Sequence, residues 1–177
     1  MQLARLLLSH GADVELRDEY GKTVLHSVAE WGRSGDIVKV LLENKLDINA
    51  RDEKGQTALL IAVRCSPDEP KEHRSLITQL LEGGASVDQS DIDGWTALHW
   101  AAAHGVVEIA CQLLEAGADI NARDRNGDTA ADCLIQWYDW RYMTKETRAE
   151  CEDIFERYSF YQCGKKSSGS DSGDISC

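Results

Sequence analysis

Short apolar helical patterns alternate with polar, glycine-containing segments along most of the chain. In the segment 91–122, Leu98 and its alanine neighbours fall on one face of a first predicted helix, which Thr96 can cap with its side-chain oxygen. A second apolar helix is predicted over 107–114, and Gly117 follows it as a left-handed cap. The pattern therefore predicts pairs of short antiparallel helices joined by polar loops.

The same unit recurs with a regular spacing. The opening D-x-x-G-x-T occurs at Asp18, Asp52, Asp91 and Asp124, in steps of 34, 39 and 33 residues. A period near 33 that begins with a turn and continues as an apolar helix is typical of a solenoid, in which each unit packs only on its neighbours. Such repetition indicates a stacking module rather than a catalytic site.

The residues of the first helix carry a family resemblance. Thr96-Ala97-Leu98-His99-Trp100-Ala101-Ala102 and residues 23–29 resemble the T-P-L-H-x-A signature of ankyrin repeats, although alanine or valine replaces the usual proline. The resemblance covers about residues 2–160. It implies an all-α ankyrin solenoid of helix-turn-helix units with hairpin-like loops, about three full repeats and partial or capping units at the ends.

The repeat boundaries divide the chain into six segments. They are an N-terminal partial repeat 1–17, a repeat 18–51, a repeat with an insertion 52–90, a repeat 91–123, a divergent capping repeat 124–163 and a disordered tail 164–177. The insertion, Pro67 to Glu72, is interpreted as a polar surface excursion at which two prolines stop the helix, with a binding loop as the alternative. A closing helix is expected from about Thr144 to Tyr161.

The first unit has a second helix, residues 3–8, without a first one. Its packing face is expected to be exposed, which suggests a fragment, a truncated gene model or the C-terminal part of a longer array. The ankyrin segment of a larger enzyme or receptor, providing substrate or regulator recognition, is therefore an alternative to a separate adaptor.

Charge, apolar runs and cysteine content restrict the partner, the compartment and the chemistry that we expect. The chain has 19 Lys and Arg against 31 Asp and Glu, a net charge of −12, which disfavours nucleic acid and weakly favours a basic protein partner. No apolar run approaches the length of a membrane span, and no signal peptide is visible, so we expect an intracellular monomer, cytoplasmic or nuclear, without membrane contact. The six cysteines are scattered, which predicts thiols and no metal site or cofactor.

No catalytic motif is visible, so we predict a non-catalytic module that binds another protein. The resemblance implies contacts from the hairpin tips and from the inner face of each first helix. The candidates are Tyr20, Lys22, Glu30, Trp31, Lys54, Gln56, Arg64, Ile92, Asp93, Trp95, Ala103, His104, Arg125, Asn126 and Asp128. The aromatic residues are candidate binding anchors, with core packing as the alternative. Together with acidic neighbours they also permit a methyl-lysine or basic-peptide reader.

Four further residues have roles that the resemblance suggests. His26 and His99 occupy the histidine of the T-x-L-H motif, for which the family implies a structural hydrogen bond between neighbouring loops. Asn49 and Asn121 lie in a context like that of asparagines hydroxylated in some ankyrin proteins, and both are also ordinary turn formers.

Overall fold

The computed structural model describes residues 2–32, 37–44, 46–66, 70–136 and 145–167. Its helices are α1 (Gln2–Ser9), α2 (Val24–Trp31), α3 (Ile37–Glu43), α4 (Ala58–Cys65), α5 (Pro70–Glu82), α6 (Ala97–His104), α7 (Val107–Glu115), α8 (Ala130–Gln136) and α9 (Lys145–Ser167). Over these ranges the only β interaction is an isolated bridge between Ser90 and Thr96. The predicted all-α class is confirmed.

The helices form two layers. In the inner layer α2, α4, α6 and α8 pack in sequence, and in the outer layer α1, α3, α5, α7 and α9 do the same. Each inner helix begins directly after a threonine: Thr23, Thr57, Thr96 or Thr129. The helices α2 and α6 end at Gly32 and Gly105, which have positive φ. Within the described residues one hydrophobic core runs between the layers from Leu25 to Phe155. Ala97, Ala101 and Ala102 of α6 are 0% exposed, and their small side chains allow the neighbouring helices to approach closely.

The insertion in the second full unit differs from the prediction. Pro70 does not lie in an excursion but begins α5, which extends over 13 residues to Glu82. Proline suits the first position of a helix because its missing N–H has no partner there in any case and its φ is already helical. At least three of the extra residues therefore lengthen the outer helix; residues 67–69 lie outside the described part of the chain.

The C-terminal helix matches its predicted faces. Cys151 and Phe155 are buried at 1% and 4% exposure, and α9 packs on α7 and α8. The acidic residues of its other face, among them Glu152 and Glu156, are exposed. The helix continues to Ser167, past Gly164 where a disordered tail was predicted; the serine-rich residues 168–177 lie outside the described part.

The first unit leaves apolar side chains uncovered, as expected. Leu6 and Leu7 on α1 are 54% and 53% exposed.

No helix in the described part of the chain is long and apolar enough to cross a bilayer.

Candidate functional site

Four aspartates organise the loops that lead into the inner helices. In each loop the aspartate Oδ1 accepts the backbone N–H groups two and four residues later, as Asp124 does from Asn126 at 2.8 Å and from Asp128 at 2.9 Å. The same pair of bonds is made by Asp18, Asp52 and Asp91. These side chains fix the loops in one shape and so determine where the tips point.

Backbone hydrogen bonds join each loop to the next. The N–H of Glu53 donates to Tyr20 O at 3.1 Å, that of Ile92 to Lys54 O at 3.0 Å, and that of Arg125 to Asp93 O at 3.0 Å. We call the four loops joined in this way, 18–22, 52–56, 91–95 and 124–128, the loop ladder. It places the tips of successive units in a row.

Arginine side chains add a second connection between loops. Arg17 Nη1 donates to Gly21 O at 3.0 Å and to Arg51 O at 2.7 Å, and Arg51 Nη2 donates to Ser90 O at 2.7 Å. Ser90 occupies the arginine position of the third loop. There the bridge is made instead by Trp95, whose Nε1 donates to Asp124 Oδ2 at 3.1 Å.

The two motif histidines bond between units, as the resemblance implied. Nδ1 of each ring accepts the backbone N–H of the threonine three residues earlier, that of Thr23 for His26 at 3.0 Å and that of Thr96 for His99 at 3.2 Å. The proton of each neutral ring therefore resides on Nε2, which donates to a carbonyl of the next loop, Gln56 O or Asp128 O, at 3.1 Å. Leu60 stands at this position in the second unit and is buried at 1% exposure.

These histidines predict a loss of stability in mild acid. Burial lowers the pKa of His26 and His99 below the ordinary 6.5. A base with a lowered folded-state pKa stabilises the fold fully above 6.5, and that contribution is lost as the pH falls from 6.5 towards the folded-state pKa. We expect the urea midpoint to fall over this range.

The matched control is a double substitution, His26→Leu with His99→Leu, which copies the native Leu60. In this variant the urea midpoint should change little as the pH falls just below 6.5. An equally steep decline in the variant would assign the effect to other groups.

The asparagine positions take part in a third set of connections. Asn49 Oδ1 accepts the N–H of Ser86 in the next unit at 2.8 Å. Glu15, the equivalent residue one unit earlier, makes the same kind of bond, since its Oε1 accepts the N–H of Asp47 at 2.6 Å. Asn49 is thus a structural residue of its loop. The backbone N–H of Asn121 donates to Asp119 Oδ1 at 3.0 Å, which is a turn interaction. Hydroxylation of either residue stays a prediction.

The candidate aromatic residues differ in their exposure. Trp31, at the end of α2, is 72% exposed and Tyr20 is 59% exposed. Trp95 is only partly exposed, and its ring lies 4.6 Å from that of Trp100, which in turn stacks on His104 at 5.7 Å. Trp95 is therefore built into the structure by its ring contacts and its bond to Asp124, whereas Trp31 and Tyr20 project from it.

The remaining candidate residues also differ in how far their side chains are exposed to solvent. Lys54, Ile92, Asp93, Arg125 and Asn126 are exposed at the loop tips. Arg64, His104 and Asp128 are partly exposed, and Lys22 Nζ pairs with Glu30 Oε2 at 3.0 Å.

Two candidates do not belong to an exposed surface. Gln56 and Ala103 are only 7% and 6% exposed. Sequence reasoning also did not single out Trp100 for the ring stack, nor the bridging role of Arg17 and Arg51. The repetition of arginine before the loop aspartate was the available signal for that role.

Two buried cysteines, Cys133 and Cys151, have thiols of low reactivity. Burial raises the pKa of Cys133 to about 12 and that of Cys151 to about 11, with nearby carboxylates adding to the effect. Within the described residues no three histidines, cysteines or carboxylates are grouped so as to hold a metal ion. The exposed side chains of the loop ladder are instead aromatic, aliphatic, amide and charged groups.

Stacked helix pairs joined by a loop ladder define a solenoid repeat protein. A family model described as ankyrin repeats (3 copies) matches residues 1–71 and residues 47–124. The chain belongs to the ankyrin repeat family, whose repeats bind other proteins. A comparison with curated proteins found no match.

Proposed function

We propose that this protein is a non-catalytic adaptor that binds a protein partner through one surface, which we call the recognition face. Its members share exposure on the loop tips or at the end of the first inner helix. They are Tyr20, Trp31, Lys54, Ile92, Asp93, Arg125 and Asn126.

The observation that carries this proposal is the exposure of Trp31. A tryptophan that is 72% exposed leaves a large apolar area in water, and such side chains become the main anchors of interfaces when a partner covers them. Tyr20 and Ile92, at 59% and 48% exposure, extend the apolar surface along the tips. The surrounding Lys54, Asp93 and Arg125 supply the polar rim that protein interfaces usually have.

The rigidity of the scaffold also supports binding. The loop carrying Tyr20 is held by two bonds to Asp18 and by one to the next loop. A surface fixed in this way loses little conformational entropy when it binds, so more of the contact energy appears as affinity. The net charge of −12 favours a partner with a basic surface.

The test compares Trp31→Ala with a control that removes an equally exposed apolar side chain elsewhere, Leu16→Ala, since Leu16 is 70% exposed. Proteins captured by the wild type are identified, and the affinity of a purified partner is then measured. Trp31→Ala should weaken binding about 30-fold, the equivalent of about 2 kcal/mol. Leu16→Ala should leave binding unchanged.

The stability of Trp31→Ala should stay within about 0.5 kcal/mol of the wild type, because the residue is exposed. The loss of affinity can then be assigned to the contact itself. Retention of the same partners at the same affinity by Trp31→Ala would remove the recognition face. Trp95→Ala is not suitable for this test, because Trp95 also holds Asp124.

A further inference from the structure

An arginine before the loop aspartate donates to backbone carbonyls in three of the four loops of the ladder. Arg17 Nη1 donates to Gly21 O of its own loop at 3.0 Å and to Arg51 O of the next loop at 2.7 Å. Arg51 Nη2 donates to Ser90 O of the next loop at 2.7 Å. Arg123 Nη1 donates to the glycine carbonyl of its own loop at 2.5 Å. A guanidinium group is therefore a regular component of these loops.

The third loop has Ser90 at this position, and serine cannot supply the guanidinium. The carbonyls equivalent to those that the arginines bind are Gly94 O in the same loop and Arg123 O in the next. Within the described residues neither oxygen accepts a hydrogen bond. Trp95 connects the same two loops, but its Nε1 donates to the Asp124 carboxylate and to neither carbonyl.

The surroundings of the loop glycines show where the guanidinium lies in another loop. A Cβ added to Gly55 would lie 2.6 Å from Arg51 Nη2, so the arginine of the second loop covers its own glycine. The three atoms nearest to a Cβ on Gly94 are instead backbone atoms of the next loop, Arg125 N, Asp124 Cα and Asp124 C. Gly94 is partly exposed, so a group from solvent can approach its carbonyl.

The charges of the third loop differ from those of the other loops. The three segments that contain the arginines each have two basic and two acidic residues, and they are 17–22, 51–56 and 123–128. The segment 90–95 contains Asp91 and Asp93 and no basic residue. Asp93 is exposed at the tip. A cation from outside the chain would give this loop the charge balance that the others have internally.

We propose that the third loop binds an arginine side chain of the protein partner. The partner's guanidinium donates to Arg123 O and Gly94 O, and Asp91 and Asp93 provide the opposite charge. This site adjoins Ile92 and Asp93 of the recognition face, and it rests on the proposed function because it requires a protein partner. It specifies that partner further, as one with an exposed arginine.

Acceptors on two loops favour a guanidinium over an ammonium group. Arg51 uses two nitrogens of one group, Nη1 for Gln89 Oε1 at 2.8 Å and Nη2 for Ser90 O at 2.7 Å. A planar group with several donors in fixed directions suits such a pair of acceptors. A lysine ammonium is a compact and more strongly hydrated charge, so it loses more hydration when it binds two carbonyls.

The first test uses N-acetyl-arginine N-methylamide as the probe and the full chain labelled with ¹⁵N and ¹³C. At high millimolar probe concentration, we expect chemical-shift changes at the carbonyl carbon of Arg123 and at the amide of Asp124, which belongs to the same peptide group. The carbonyl of Ser90 is an internal control, because Arg51 already donates to it. The citrulline and lysine counterparts of the probe should not shift the Arg123 carbonyl.

Two variants add a guanidinium to one loop or remove it from another. Ser90→Arg supplies the group within the chain, so it should raise the urea midpoint and abolish the probe's effect on Arg123. Ser90→Met has similar length but no donor and should not raise the midpoint. Arg51→Ser gives the second loop the composition of the third, so the probe should then shift the Ser90 carbonyl as well.

The second test uses a purified partner captured by the wild type. Ser90→Arg should weaken its binding about tenfold, because the internal guanidinium takes the acceptors of the partner's arginine. Ser90→Ala should bind like the wild type. Replacement of the contacting arginine of the partner by lysine should weaken binding to the wild type but not to Ser90→Arg.

Three outcomes would overturn the proposal. They are no shift at Arg123 with the arginine probe, an equal shift with the citrulline or lysine probe, and undiminished partner binding by Ser90→Arg. The proposed function fails separately. Full binding by Trp31→Ala with loss in Ser90→Arg would remove the tryptophan anchor and keep the arginine site, and the opposite pair of results would do the reverse.

Discussion

Gly94→Ala should lower the free energy of unfolding by about 3 kcal/mol, in urea denaturation at neutral pH. Gly94 has a φ of +85°, a conformation that costs a residue with a side chain about 1–2 kcal/mol. A Cβ here would also lie 2.9 Å from Arg125 N and 3.0 Å from Asp124 Cα. Relief requires the two loops to separate, which breaks the Arg125 to Asp93 bond of the ladder.

Gly117→Ala is the matched control for the loop contact. Gly117 has a φ of +95°, yet a Cβ there meets nothing within 4 Å. Gly117→Ala should therefore lower the free energy of unfolding only by the backbone strain, about 1–2 kcal/mol. The difference between the two variants measures the close approach of the loops, and equal losses would show that this approach contributes nothing.

Asp124→Ala should also destabilise the protein by about 3 kcal/mol. Asp124 is 7% exposed, and its carboxylate accepts hydrogen bonds from Asn126 N, Asp128 N and Trp95 Nε1 and a longer one, at 3.4 Å, from Asn126 Nδ2. Its removal leaves the backbone N–H groups of Asn126 and Asp128 and the indole N–H of Trp95 without their acceptor, each at a cost of about 1 kcal/mol. Thermal and urea unfolding would both record the loss, and wild-type stability in Asp124→Ala would show that the loop holds its shape without the carboxylate.

Asp124→Asn separates the charge from the acceptor geometry. The amide oxygen can still accept from Asn126 and Asp128, but its NH₂ group would face the Trp95 indole N–H, so we expect an intermediate loss. Burial alone would raise the pKa of Asp124, but the hydrogen bonds from Asp128, Asn126 and Trp95 outweigh it, and the pKa is lowered.

The pH dependence follows from that direction. A carboxyl with a lowered folded-state pKa stabilises the fold above the ordinary value of 3.8, and the contribution is lost as the pH falls through the lowered folded-state pKa. Asp124→Asn should flatten this part of the acid unfolding curve. An unchanged curve would assign acid unfolding to other carboxyls.

The repeated fold could be predicted because its determinants are local. Thr96, Gly105 and Gly117 mark helix ends within one unit, and the apolar positions between them have helical spacing. The closing helix was predictable for the same reason, since Cys151 and Phe155 lie on one face. These signals require no knowledge of distant contacts.

The candidate site was less predictable because exposure depends on residues about 30 positions away. Trp95 and Trp31 look equivalent as aromatic residues at variable positions, yet Trp95 is held by Asp124 in the next loop and Trp31 is not. Pro70 is ambiguous for another reason. A proline stops a helix or begins one, and the choice depends on the path of the chain before it.

The joints between units have a consequence for how this sequence can diverge. On the receiving side of most of them the partner is a backbone atom: Arg51 O, Ser90 O, Gln56 O and the N–H groups of Glu53, Ile92 and Arg125. Side chains at the tips can therefore change without cost to the stacking, and new specificities can be selected there from randomised libraries. Between the described loops, two bonds join side chains instead, Arg51 Nη1 to Gln89 Oε1 at 2.8 Å and Trp95 Nε1 to Asp124 Oδ2 at 3.1 Å, and the two residues of each pair must change together.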